Sequence, residues 1–166
     1  MELLIVRHAI AFERNARRWP DDRDRPLNPR GLGRARQAAQ GLACLVKPPA
    51  RVLASPLVRT SQTAELLTRF ARWPGAARCP QLEPGAAPEA LLALLPAAGR
   101  VALIGHEPDL SRLLAACLPG EFGGAAFRFK KMGVALVAFA GAAQRGRGTL
   151  VWFAPPRLLR AARKVS

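Results

Sequence analysis

The feature that most narrows the folds open to this chain is an alternation. Short runs rich in valine, isoleucine and leucine are followed by longer, alanine-rich amphipathic stretches. A short apolar run bounded by turn residues reads as a buried strand, and a longer run with one apolar face reads as a covering helix. In alternation they describe an α/β domain of three layers, a central and mostly parallel β-sheet flanked by helices. Strands are expected at about Leu3–Arg7, Arg51–Ala54, Val101–Ile104, Val134–Phe139 and Leu150–Phe153. Helices are expected over Gly31–Leu45, Leu57–Trp73, Glu89–Leu95 and Leu110–Leu118. Asn28 is a candidate cap for the first helix, and Ser55–Pro56 opens the second, because proline suits a first turn. "PPA" at Pro48–Ala50 and "PGEFGG" at Pro119–Gly124 break elements rather than domains, so residues 1–166 are read as a single domain.

The ends of the apolar runs carry the chemistry. "LLIVRHAIA" passes from a strand into Arg7 and His8, and "RVALIGHEPDL" passes in the same way into His106. The chain has 2 histidines, and both stand at the carboxyl end of a short hydrophobic segment. Loops at that end of the strands are where α/β proteins place their sites. Arg7 offers a planar fork of donors suited to phosphate oxygens. His8 can act as a nucleophile if one ring nitrogen is pinned by a backbone acceptor and the other faces the ligand.

A second constellation is "VLASPLVRTSQTAELL", in which Arg59 and Thr63 lie one turn apart on a helix that starts just after Ser55. Ser55 and Arg59 could meet an anion at that amino terminus, or Ser55 could be an ordinary cap beside an exposed arginine. In "LIGHEPDLSRLL", Gly105 permits a tight turn and His106 projects from the strand end. It is either a second phosphate donor or a histidine capping a strand, with Glu107 and Asp109 as charges at a helix amino terminus. Taken together, Arg7, His8, Arg59 and His106 make a pocket for a dianionic phosphoryl group.

A formal charge of +15 and a pI of about 11.7 invite a nucleic-acid reading. No recognition motif accompanies that charge, so no nucleic-acid partner is expected. The basic surface is either a solvated face or an attractor of acidic, phosphorylated partners. Cys44, Cys79 and Cys117 have neither disulfide-framework nor zinc spacing, which fits reduced, mostly buried thiols in a cytoplasmic protein. No leader and no membrane span is read, and no metal-ligand cluster is seen. "ERNARRWPDDRDRPLNPR", Glu13 to Arg30, is expected as an exposed loop beside the site. "FRFKK", Phe127 to Lys131, could line a docking surface with the Trp19 loop opposite, or be a strand with Phe127 and Phe129 turned inward. The tail "RLLRAARK" reads as a short, frayed amphipathic helix.

In order and spacing, "VRHA", "RPLNPRG", "SPLVRTSQTA" and "GHEPDL" resemble the motifs of the histidine phosphatase, or phosphoglycerate-mutase-like, superfamily. The short chain, the "RHA" form, "LEPG" and "GHEPDL" look most like its SixA-type phosphohistidine phosphatases. The resemblance implies the histidine phosphatase fold and a hydrolase without cofactor or metal. His8 would attack phosphorus and become a phosphohistidine that water hydrolyses. Arg7, Arg59 and His106 would hold the phosphoryl oxygens, with Ser55 beside them. The larger relatives use a glutamate to protonate the leaving group. Here Glu83 in "QLEPG" and Glu107 beside His106 are the candidate acids. A phosphoramidate would need a weaker acid, and the chain has no room for an inserted cap. The implied substrate is therefore phosphohistidine on a phosphotransfer protein. A small phosphorylated metabolite is the alternative within the family, and a non-catalytic phosphate-binding module is the alternative outside it.

Overall fold

A computed structural model of the protein describes residues 1–123 and 126–163. The strands are β1 (Glu2–Arg7), β2 (Arg51–Ala54), β3 (Ala77–Arg78), β4 (Arg100–Gly105), β5 (Val134–Phe139) and β6 (Gly148–Ala154). The helices are α1 (Pro29–Leu45), α2 (Val58–Ala71), α3 (Pro88–Leu92), α4 (Asp109–Cys117) and α5 (Pro156–Ala162). They build one sheet in the order β3-β2-β4-β1-β5-β6. The strands from β3 to β1 run parallel, while β5 and β6 extend the sheet antiparallel.

Side-chain alternation along β1 divides the core between the two faces. Leu4 and Val6 pack with Ala35, Ala39, Leu42, Leu67 and Leu159, so α1, α2 and α5 cover one face. Leu3 and Ile5 pack with Leu91, Leu110, Leu113, Leu114 and Phe129, so α3 and α4 cover the other. The helix α1 starts as its sequence implies: the Gly31 N–H donates to Asn28 Oδ1 at 2.7 Å and Pro29 occupies the first turn. At Gly41, α1 touches α5 so closely that a Cβ would overlap the Leu159 carbonyl oxygen.

Several boundaries differ from expectation, and proline accounts for two of them. The second helix ends at Ala71 rather than Trp73, with Arg72 left-handed at φ 57° and Pro74 disfavouring helix at Trp73. The third ends at Leu92 rather than Leu95, since Leu95 precedes Pro96. The exposed two-residue strand β3 carries no apolar pattern and was not foreseen. Phe127 to Lys131 is a loop rather than a strand. Phe129 is buried, but its amide goes to the Glu107 carboxylate and its carbonyl to Arg7, so neither joins a ladder. The tail forms the short helix α5, which buries Leu159 against α1, while Lys164 lies outside the described residues, as does Gly124 of "PGEFGG". Cys79 and Cys117 are buried, whereas Cys44 is exposed. Among the described residues no helix is long and apolar enough to cross a membrane.

Candidate active site

The parallel register brings three strand ends together. Arg7 on β1 lies opposite Gly105 on β4, and Ala54 on β2 lies opposite Ile104. The residues that follow continue the pairing, because the His8 N–H donates to the Gly105 carbonyl at 3.1 Å and the Ser55 N–H to the Ile104 carbonyl at 3.0 Å. His8, Ser55 and His106 therefore share one edge of the sheet. His106 Nε2 lies 2.9 Å from Ser55 Oγ, and the rings of His8 and His106 stand 5.2 Å apart at 53°. Both histidines are almost fully buried, at 5% and 4% exposure, in a place where a purely apolar core would have no use for them.

The hydrogen bond to His8 sets its tautomer. Nδ1 lies 2.7 Å from the Ala9 carbonyl oxygen. A carbonyl can only accept, so Nδ1 carries the proton and Nε2 keeps its lone pair. The next residue is fixed from α2: the Ala9 N–H donates to Thr63 Oγ1 at 3.0 Å, and that hydroxyl donates to the Arg59 carbonyl at 2.7 Å. Thr63 thus ties the turn behind the imidazole to the helix that carries Arg59.

The two arginines are each held at one end. Arg7 Nη1 donates to the Phe129 carbonyl at 2.5 Å, and Arg59 Nη1 donates to the Asp22 carbonyl at 2.7 Å. Arg59 also meets the Asp22 carboxylate at 3.2 Å. The Nε–H of each is buried without an acceptor. Fixed forks with donors to spare suit a tetrahedral oxyanion. Ser55 is buried, with its hydroxyl hydrogen-bonded to His106, and Leu57 rather than Ser55 stands at the cap position of α2.

The two candidate acids are occupied elsewhere. Glu83 lies in the fork of Arg23, one contact at 2.9 Å and the other shorter. Glu107 accepts from the Phe129 N–H at 2.8 Å and from Ser111 Oγ at 2.6 Å, and so braces the loop that receives Arg7. Three further groups surround the pocket that pattern alone did not single out: Asp22, Arg25 and Lys131. Arg25 Nε donates to Asp22 at 2.8 Å, and the neighbouring charges hold the Asp22 carboxyl below its usual range, Arg25 first. The motif "RPLNPRG" was the one sequence signal for Arg25.

Burial, reinforced by this crowd of cations, sets the protonation of the imidazoles. Burial above all, then Lys131, His106 and Arg59, pushes the His8 pKa well below its ordinary value, against the opposing pull of the Ala9 carbonyl. Burial and the charges of Arg59 and Arg7 push His106 down to about 3. Both rings are therefore neutral near pH 7, and His8 presents an unprotonated Nε2 among cations. Beside Arg7 opens a cavity of about 590 Å³, lined by Glu107, Ser111, Arg112, Phe127 and Arg128. Among the described residues no group of three or more His, Cys, Asp or Glu is placed to hold a metal ion.

Comparisons with known proteins bear on the family and the fold. Residues 3–77 match the family described as the histidine phosphatase superfamily (branch 1). The protein histidine phosphatase SixA, solved with tungstate, superposes with a TM-score of 0.80 at 28% identity, covering 96% of this chain and 99% of that one. A SixA structure from Agrobacterium tumefaciens gives 0.76 at 26% identity, over 93% and 97% of the two chains. An uncharacterized protein of Picosynechococcus is 35% identical over 132 residues, 74% of this chain and 76% of its own length.

Proposed function

The chain belongs to the histidine phosphatase superfamily, in its SixA-type branch, and from that premise we propose that it is a metal-independent phosphatase acting on phosphohistidine carried by a phosphotransfer protein. The observation that carries the reading is the hydrogen bond from His8 Nδ1 to the Ala9 carbonyl, which leaves Nε2 free to attack. In the first half-reaction Nε2 bonds to phosphorus as the bond to the substrate nitrogen breaks. Nδ1 keeps its proton, donated to the Ala9 carbonyl, and this lets the ring carry the new positive charge. In the second half-reaction water attacks phosphorus, the phosphoryl–His8 bond breaks, and phosphate leaves with the neutral imidazole restored. Arg7, Arg59 and His106 bind the non-bridging oxygens and stabilise the charge they gather in the transition state.

Two features favour a substrate presented by another protein. The cavity beside Arg7 opens to the surface, and its rim carries Arg112 and Arg128, which suits an acidic surface around the phosphorylated side chain. Glu83 and Glu107 are both engaged by other partners, which suits a nitrogen leaving group better than an alkoxide.

The test is phosphate release from a phosphohistidine-bearing phosphotransfer domain, with chelator present, by wild type and His8→Ala. Release by wild type and its loss in the variant is the expected outcome, together with a phosphorylated His8 trapped by acid-free quenching. Equal release by both proteins would remove His8 from its role. Turnover of small phosphate esters with none on phosphohistidine would replace the substrate while leaving the nucleophile.

A further inference from the structure

The proposed reaction leaves a proton unassigned. The atom leaving phosphorus must gain one, and the attacking water must lose one. Of the groups around the pocket, Arg7 and Arg59 hold their protons too tightly to give them. His106 is neutral, Asp22 is held ionised by its arginines, and Glu107 spends both oxygens on Phe129 and Ser111.

Lys131 remains, and its backbone is fixed with unusual care. Phe129 is buried under one face of the sheet and Met132 under the other, so the turn between them straddles the sheet edge at the site. The Met132 N–H donates to the carbonyls of both Arg7 and His8, at 3.1 and 3.2 Å, while the Arg7 N–H donates to the Gly133 carbonyl at 3.1 Å. Met132 takes a left-handed φ of 67° to complete the turn. Lys131 is thereby held against the two residues that open the site. Among the described lysines it alone is half-buried, and no carboxylate or carbonyl of the described residues engages its ammonium. Its charge bears on both His8 and His106.

We infer that Lys131 is the general acid and base of the reaction. Resting on the phosphatase reading above, its ammonium protonates the leaving atom as the bond to phosphorus breaks, and the resulting amine takes the proton of the water that hydrolyses the phosphorylated His8. The steps balance. The first gives a neutral leaving group, a neutral Lys131 and a phosphorylated imidazole; the second returns the ammonium, the neutral imidazole and monohydrogen phosphate. Burial first, then Arg7, Arg25 and Arg59, lower the Lys131 pKa to about 8, against the pull of Asp22, which brings it near the range where an acid and a base of the same group are both useful.

The test compares phenyl phosphate, whose phenolate needs a proton, with para-nitrophenyl phosphate, whose leaving group departs unaided. Lys131→Gln should slow phenyl phosphate by about 10²-fold and para-nitrophenyl phosphate far less, the usual size of a lost general acid. Lys131→Arg, which keeps the charge without a transferable proton, should behave like the glutamine variant. In wild type, kcat/KM on phenyl phosphate should fall above about pH 8, and that limb should vanish in both variants. Equal slowing of both esters with recovery by arginine would make Lys131 an electrostatic ligand, and unchanged turnover would give it no part; either result overturns the inference alone. A wild type inert toward both esters and toward phosphohistidine would overturn the phosphatase reading, and this one with it.

Discussion

If His8 and His106 are buried as neutral rings, acidification must destabilise the protein before any carboxylate matters. In the unfolded chain both histidines titrate near 6.5, whereas in the native state the pKa of His106 is lowered to about 3 and that of His8 well below the ordinary value. The sign follows from the proton count. Below the unfolded pKa the unfolded chain binds protons that the native protein refuses, so stability present above pH 6.5 is lost as pH falls. Each such group contributes a slope of about 1.4 kcal/mol per pH unit once the unfolded imidazole is mostly charged. Between pH 6 and pH 5 unfolded imidazoles are about nine-tenths protonated, so His106 alone costs about 1.2 kcal/mol, and His8 adds to the loss in the same direction. Ordinary carboxyl groups titrate mainly below this interval. The measurement is urea unfolding at closely spaced pH values, with His8→Gln and His106→Gln as references. His106→Gln should lose about 1.2 kcal/mol of the wild-type change over that interval, and His8→Gln should flatten the curve in the same direction. A flat wild-type curve would show that the native histidines take up protons as readily as the unfolded ones, and a neutral nucleophile would no longer be secured by the pocket.

Three further expectations follow from particular contacts. Thr63→Val keeps the shape but leaves the buried Ala9 N–H without its acceptor; denaturant titration should show a loss of about 1–3 kcal/mol. Phosphatase turnover should fall with it, since that amide sits directly behind the His8 imidazole. Gly41→Ala places a methyl group where the Leu159 carbonyl oxygen stands, so α5 must move off α1; a loss of about 3 kcal/mol or more is expected in thermal or urea unfolding, and a neutral result would contradict the close approach of the two helices. Arg59→Lys keeps a charge but loses the fork that spans Asp22 and the pocket; kcat/KM should drop by about 10²-fold or more with the fold intact, and a change of less than a few-fold would remove Arg59 from the oxyanion site.

What could be read from the sequence was what depends on local pattern. The strand of Leu3 to Arg7 is visible because β1 is buried on both faces and must be apolar throughout, and the abrupt change to Arg7 and His8 marks where it leaves the core. The same holds for His106 after β4. The fate of the two glutamates was not visible, because their partners are distant in the chain. Glu83 is held by Arg23, 60 residues away, and Glu107 by the amide of Phe129, 22 residues away. Lys131 was hidden for a related reason. In "FRFKK" it reads as one surface cation among several, and only the carbonyls of Arg7 and His8, which capture the next amide, hold its backbone beside the site.

The cations that flank the pocket act in both states of the proposed reaction, and this links the nucleophile to the oxyanion site. Without substrate, Arg59 and Lys131 raise the cost of a charged imidazole at His8, and Arg7 and Arg59 do so at His106. Burial does most to keep the nucleophile neutral, and the cations around the phosphoryl site add to it. When a dianionic phosphoryl group enters, it offsets those charges, and the penalty on a positive imidazole falls. That is the moment at which Nε2 bonds to phosphorus and the ring must become positive. The Nδ1–H already donating to the Ala9 carbonyl supports that charge without rearrangement. A site with fewer cations would bind the phosphoryl group less well and would also leave more of His8 protonated and unable to attack. Removing one cation should therefore affect binding and nucleophile protonation together, so single-charge substitutions around this pocket are expected to be non-additive.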